Sequence, residues 1–225
     1  MQIVEAFQKP LKDLKTLAIG ILVSIIPVIN VLFLPGYLIR VARNTMTGNQ
    51  SMPEWKELGN MVADSLKLMV IGLVYALPGL VVLFVALPSI TVWASLVNFI
   101  AMVVSGNAGN NMQSVIIAGI AAGAGLFLFA ILLLVAGGIG STSAVLMYAK
   151  TSQLSSAFKF KEIYGNFFKG QFLKALAVVL VLSIVISIAK EILVFIPVLG
   201  ILIYLLILFP MAVAFQSLLA DAYGK

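Results

Sequence analysis

Between Lys67 and Lys150 the chain contains no Asp, Glu, Lys, Arg or His. No other feature restricts the fold so tightly. About 20 apolar residues span the ~30 Å hydrocarbon core of a bilayer, so this stretch must cross at least twice. The composition of the whole chain agrees. It is 62% hydrophobic and only 10% charged, with a mean hydropathy of +1.16, whereas soluble domains carry about 25% charged residues. No alternating barrel pattern is visible, and helices satisfy their own backbone hydrogen bonds in lipid. The expected fold class is all-α, a polytopic membrane helical bundle forming one domain over 1–225.

Cysteine and histidine are both absent. That excludes disulfides, thiolate chemistry, iron–sulfur clusters, histidine-ligated haem and ordinary zinc sites. No cofactor, metal or catalytic residue is expected. The net charge is +6 and the pI about 9.6. In a soluble protein this would suggest nucleic acid. Beside apolar runs it fits cytoplasmic loops lying on anionic lipid, so the expected partners are lipids and no nucleic acid. The first fifteen residues are amphipathic and lack a small-residue cleavage pattern, so the first apolar segment is expected to stay in the mature protein.

The basic residues define a topology. Lys9, Lys12 and Lys15 precede the first apolar segment; Arg40, Arg43, Lys56 and Lys67 follow it. Lys150, Lys159, Lys161, Lys169 and Lys174 form a third zone. The positive-inside rule puts the 40–67 and 150–174 zones in the cytoplasm and the neutral 105–114 connection outside. The chain then turns near Lys190–Glu191 and returns, leaving the C-terminus cytoplasmic in the cell membrane. Four transmembrane helices are expected: two long ones over 67–149 and a hairpin over 173–217. The 16–43 segment is basic at both ends, and Pro27, Asn30 and Pro35–Gly36 offer breaks. These favour a re-entrant hairpin after the amphipathic 1–15 segment; a fifth, kinked span is the alternative. Pro78 and Pro88 offer kinks, and 89–104 fits either an outer-interface segment anchored by Trp93 or a protruding helix.

Two interfacial amphipathic helices are predicted. Over 53–66, Pro53 suits a first helical turn, and Trp55, Leu58, Val62 and Leu66 fall on one stripe. Over 154–172, aromatics alternate with Lys159, Lys161 and Lys169, a composition suited to the headgroup layer. Arg40 and Arg43, spaced i,i+3, are either snorkelling anchors or a clamp for a phosphate or carboxylate. The candidate anionic-lipid contacts are therefore Arg40, Arg43, Trp55, Lys159, Lys161 and Lys169. Asn30, Asn98 and Gln216 are candidate intramembrane polar contacts. There is also an internal echo: Ile-Pro-Val recurs before a second proline at 26–35 and 196–210, and PEWKELGN resembles FKFKEIYGN.

The stretch GYLIRVARNTMTGNQSMPEWKELGNMVADSLKLMVIGLVYALP carries Gly-Tyr, the two arginines, Pro-Glu-Trp and a span ending Tyr-x-x-Pro. With YAKTSQLSSAFKFKEI, it resembles a prokaryotic multipass membrane family, domain of unknown function 4013. The resemblance implies a helical integral membrane protein, frequent in archaea, and brings no catalytic residues. The leading functional expectation is a non-enzymatic scaffold or accessory subunit that packs with other membrane proteins, with lipids or with its own copies. A small-solute channel or transporter is the alternative, motivated by the proline-broken segments and the echo.

Overall fold

The computed structural model describes residues 3–105, 112–193, 196 and 199–224. The described residues are helical or in short connections, with no strand. The helices are α1 (Ile3–Gln8), α2 (Leu14–Ile25), α3 (Pro27–Met46), α4 (Leu58–Ser105), α5 (Met112–Thr151), α6 (Phe160–Phe167), α7 (Gly170–Leu193) and α8 (Leu199–Gly224). Four stretches are long and apolar enough to cross a membrane: Leu58–Leu87, Gly123–Thr151, Gly170–Leu193 and Leu199–Gly224. The chain divides into two compact units, Met1–Ile71 with Thr142–Lys225, and Gly72–Ser141.

In the first unit the N-terminal apolar segment is a hairpin. Asp13 caps α2, accepting from the Thr16 amide at 3.0 Å and its hydroxyl at 2.6 Å. These hydrogen bonds hold the Asp13 carboxyl below the usual range. Ile26 is extended, which ends α2, and Pro27 starts α3 at a position where its missing N–H costs nothing. Asn30 Nδ2 donates back to the Ser24 carbonyl at 3.1 Å and closes the turn. Trp55 shows that the two arms fold together. Its Nε1 donates to the Thr16 carbonyl at 3.1 Å while its ring stacks on Tyr37 at 4.1 Å. On one straight helix Thr16 and Tyr37 would stand about 31 Å apart. The 12 residues of α2 rise about 18 Å, too little to cross the ~30 Å core. The element is a helical hairpin whose two arms fold against each other, the form expected of a re-entrant segment.

Pro35–Gly36 does not break α3, contrary to expectation. Gly36 N–H donates to Ser65 Oγ of α4 at 2.8 Å. A Cβ on Gly36 would collide with the Met61 carbonyl oxygen, so glycine is what lets α3 and α4 approach backbone to backbone. The core around this crossing contains Leu34, Tyr37, Val41, Met52, Met61, Phe209 and Val213, with Trp55 packed against it. Tyr37 Oη donates to the Pro53 carbonyl at 3.1 Å, satisfying its polar end.

Two further expectations need correction. No separate helix covers 53–66: residues 52–57 are a non-helical connection and 58–66 are the first turns of α4. The proposed stripe fails because Trp55 turns inward onto Tyr37, while Leu58 and Leu66 are exposed. The 154–172 segment is not one helix either. A 3₁₀ turn over Leu154–Phe158 is followed by α6 and then, from Gly170, by α7. Phe172 belongs to α7 and is buried against Tyr223, 5.6 Å between rings. The internal echo also loses its simplest origin. Its parts occur as α3 then α4, but as α7 then α8, an order that tandem duplication does not produce.

One end of this unit collects the chain ends. Lys9 Nζ donates to Thr45 Oγ1 at 2.7 Å, near the end of α3. Phe7 meets Phe215 of α8 edge-on at 6.3 Å, and Asn166 Nδ2 donates to Tyr223 Oη at 3.2 Å. Helices α3, α5 and α8 finish here, and α4 and α7 begin here. Lys190 and Glu191 lie in the last turn of α7, exposed and 3.7 Å apart.

The second unit contains the remainder of α4 and α5. Helix α4 runs unbroken through Pro78, Pro88 and 89–104, leaving no separate interfacial segment there. The turn at 105–114 falls mostly on residues outside those described, as do the side chains of Trp93 and Asn98. Gly137 sits where a Cβ would collide with the Tyr75 carbonyl oxygen, a small-residue contact that lets membrane helices pack closely. Phe84, Leu132 and Val135 are exposed, as suits helices whose solvent is hydrocarbon.

Candidate functional site

The richest polar cluster lies at the shared end of the first unit. On α4, Asn60, Asp64 and Lys67 fall at i, i+4 and i+7, which places them on one face. That face meets Arg40 and Arg43 of α3 and Tyr148 of α5. The Asp64 carboxylate is the centre. Its Oδ2 accepts from Arg43 Nη1 at 3.1 Å, its Oδ1 accepts from Tyr148 Oη at 2.5 Å, and Lys67 Nζ stands 3.8 Å away. Asp64 is only 7% exposed, so these partners offset the desolvation of a nearly buried charge. Both cations also lie over the Tyr148 ring, Arg43 at 5.5 Å and Lys67 at 5.7 Å from its centroid.

Arg43 has a second task. Its Nε donates to the Ala149 carbonyl at 3.3 Å, in the last turn of α5. A helix C-terminus presents unpaired carbonyls and a partial negative charge, which a guanidinium relieves. Arg40 serves the connection before α4. Its Nη1 donates to the Lys56 carbonyl at 2.7 Å, and its Nη2 donates to the Glu57 carbonyl at 3.2 Å and to Glu57 Oε2 at 3.3 Å. Glu57 holds a left-handed φ of 54°. Its carboxylate also accepts from Asn60 Nδ2 at 3.1 Å, which ties this strained residue to the first turn of α4. An open cleft of about 270 Å³ remains among Arg40, Asn60, Asp64, Lys67, Tyr148 and Ser152.

Arg40 and Arg43 are thus brought together, and each is engaged with a carboxylate and with main-chain carbonyls. Trp55 is instead packed against the hairpin core, between Thr16, Tyr37 and Phe209. Lys159 pairs with Glu162 at 3.4 Å on an exposed surface. Lys161 and Lys169 are exposed beside Phe160, Tyr164 and Phe168, which are exposed too. Asn30 closes the hairpin turn, and Gln216 is half-buried on α8.

Three participants escaped the sequence reading. Asp64 and Lys67 carried a signal in their shared helical face with Asn60. Tyr148 carried none, because it lies 84 residues from Asp64. Lys9 also escaped: it is fully buried, and desolvation, with Lys12 nearby, brings its ammonium down to about 8. Ser143 and Ser217 hydroxyls are buried without a hydrogen-bond partner. Among the described residues no three acids converge on a metal site.

No curated protein and no solved structure matches the chain. A family model described as "Protein of unknown function (DUF4013)" matches residues 19–195. That range contains most of the hairpin, the Arg40–Glu57 clamp and the whole Arg43–Asp64–Tyr148 cluster. It covers well over half of the sequence, and the chain belongs to the DUF4013 family of proteins of unknown function.

Proposed function

We propose that this integral membrane protein is a non-enzymatic scaffold or accessory subunit of the cell membrane, with its basic end and C-terminus in the cytoplasm. One observation carries the reading. The ionisable side chains of the membrane helices gather at the helix ends, where Arg40, Arg43 and Asp64 are occupied in fastening one helix to another. Between those ends the sequence supplies no Asp, Glu, Lys, Arg or His to a reaction or a proton path. The exposed aromatics and lysines of 159–169 suit an anionic headgroup layer, with each lysine contributing about 1 kcal/mol. The orientation follows from the basic residues, which favour the cytoplasmic side.

The test is gentle purification from native membranes read by native mass spectrometry. A stoichiometric partner protein is the expected result. A lone monomer or homo-oligomer carrying only lipid would count against the accessory role. The re-entrant hairpin favours a second reading, since broken helices line substrate sites in transporters. Solute flux in proteoliposomes that disappears in Asn30→Ala, where the hairpin turn loses its closing bond, would put that reading first.

A further inference from the structure

Away from the basic end, a groove of about 420 Å³ lies between α3, α7 and α8. Leu34, Ile186, Ile207, Leu208, Met211 and Phe215 make its apolar wall. Three hydroxyls also line it, those of Ser183, Ser187 and Tyr204. Ser183 is spent on its own helix, donating to the Val179 carbonyl at 2.7 Å. The hydroxyls of Ser187 and Tyr204 have no partner among the described residues, a costly state for a polar group in hydrocarbon.

Their depth is informative. Ser187 precedes the end of α7 by six residues, and Tyr204 follows the start of α8 by five. At 1.5 Å per residue both lie about 8–9 Å inside the far end of the α7–α8 pair. The wall from Leu208 to Phe215 lies deeper. A ligand that fits therefore has hydrogen-bond acceptors near the surface and a purely apolar part below. One chain of a lipid matches that order, with its hydrocarbon along the deep apolar wall and its ester oxygens beside the two hydroxyls.

We propose that this groove binds one chain of a membrane lipid, with the oxygens at the head of that chain accepting hydrogen bonds from Ser187 and Tyr204. The full-length protein is placed in nanodiscs of a phosphatidylglycerol containing a trace of the same lipid with a photoreactive diazirine in one chain. Adducts are then mapped by peptide mass spectrometry. Labelling of Ile186 and of Ile207–Phe215 exceeds that of Ile184 and Ile188, on the lipid-facing side of α7, by roughly fivefold, the preference expected of about 1 kcal/mol. Ala212→Trp, which fills the groove, abolishes the excess. The milder pair Ser187→Ala with Tyr204→Phe retains the fold and brings the two faces towards parity. Equal labelling of both faces in the unaltered protein would overturn the proposal. So would an excess that survives Ala212→Trp, or cross-links between two copies through the groove without lipid adducts.

Discussion

The basic end of the first unit and the Gly72–Ser141 unit meet the same problem with opposite means. At the basic end, the termini of α3, α4 and α5, a strained connection and the N-terminal hairpin are held by a buried carboxylate, two arginines and stacked aromatic rings. In Gly72–Ser141 there is no charged side chain at all, and α4 meets α5 through contacts such as Gly137 against the Tyr75 carbonyl. In lipid, apolar exposure costs nothing, so hydrophobic burial cannot tell one helix arrangement from another. The contrast teaches where specificity resides: polar fastening where the chain reverses, and close backbone approach where it runs through hydrocarbon.

Breaking the polar fastening should have the largest effect. Asp64→Ala strands Arg43 and the Tyr148 hydroxyl in a nearly buried site, with an expected loss of about 3–5 kcal/mol. Reversible unfolding in mixed micelles reads this directly, and a loss below about 1 kcal/mol would show that the cluster is incidental. Trp55→Ala empties the space between Thr16 and Tyr37 and should cost about 3 kcal/mol. Limited proteolysis should then cut within the 52–57 connection; unchanged protection there would contradict its inward packing. Gly36→Ala tests close approach within the same unit and should cost about 1–3 kcal/mol through overpacking against Met61, whereas Gly59→Ala, which meets nothing within 4 Å, should not.

The smallest effect concerns Lys9 and its pH dependence. Burial lowers its folded pKa to about 8 from 10.5, so between those values the unfolded chain binds more protons. Stability from this group is therefore present above 10.5 and lost as pH falls through about 8. Lys9→Met should remove that slope and be neutral or stabilising by about 1–2 kcal/mol at neutral pH. A parallel stability–pH curve for both proteins between 8 and 10.5 would refute the assignment.

The hairpin was legible in the sequence because Pro27, Asn30 and basic residues at both ends are local signals. The absence of charge between Lys67 and Lys150 likewise foretold two long apolar helices. The polar cluster was not legible. Asp64 and Tyr148 are joined only by the tertiary path, and one sequence offers no pairing between them. Trp55 misled for a related reason: its spacing to Leu58 and Leu66 reads as a helical stripe, yet its ring stacks on Tyr37 and α4 begins only at Leu58. In 154–172 the aromatic and basic composition marked a surface segment, but it carried no sign of the breaks around Lys159 and Lys169 or of the packing of Phe172 against Tyr223.

The central claim is that the hairpin returns the N-terminal segment to the basic end, and the lack of native cysteine makes it directly testable. Single cysteines at Ile3, Gly48, Ser155 and Gly224, with Lys190→Cys as the opposite marker, are probed in sealed, oriented vesicles with a membrane-impermeant maleimide. The account predicts that the first four react from one face and Lys190→Cys from the other. Labelling of Ile3→Cys from the face that labels Lys190→Cys would mean that 16–43 crosses the membrane, and the account would fail.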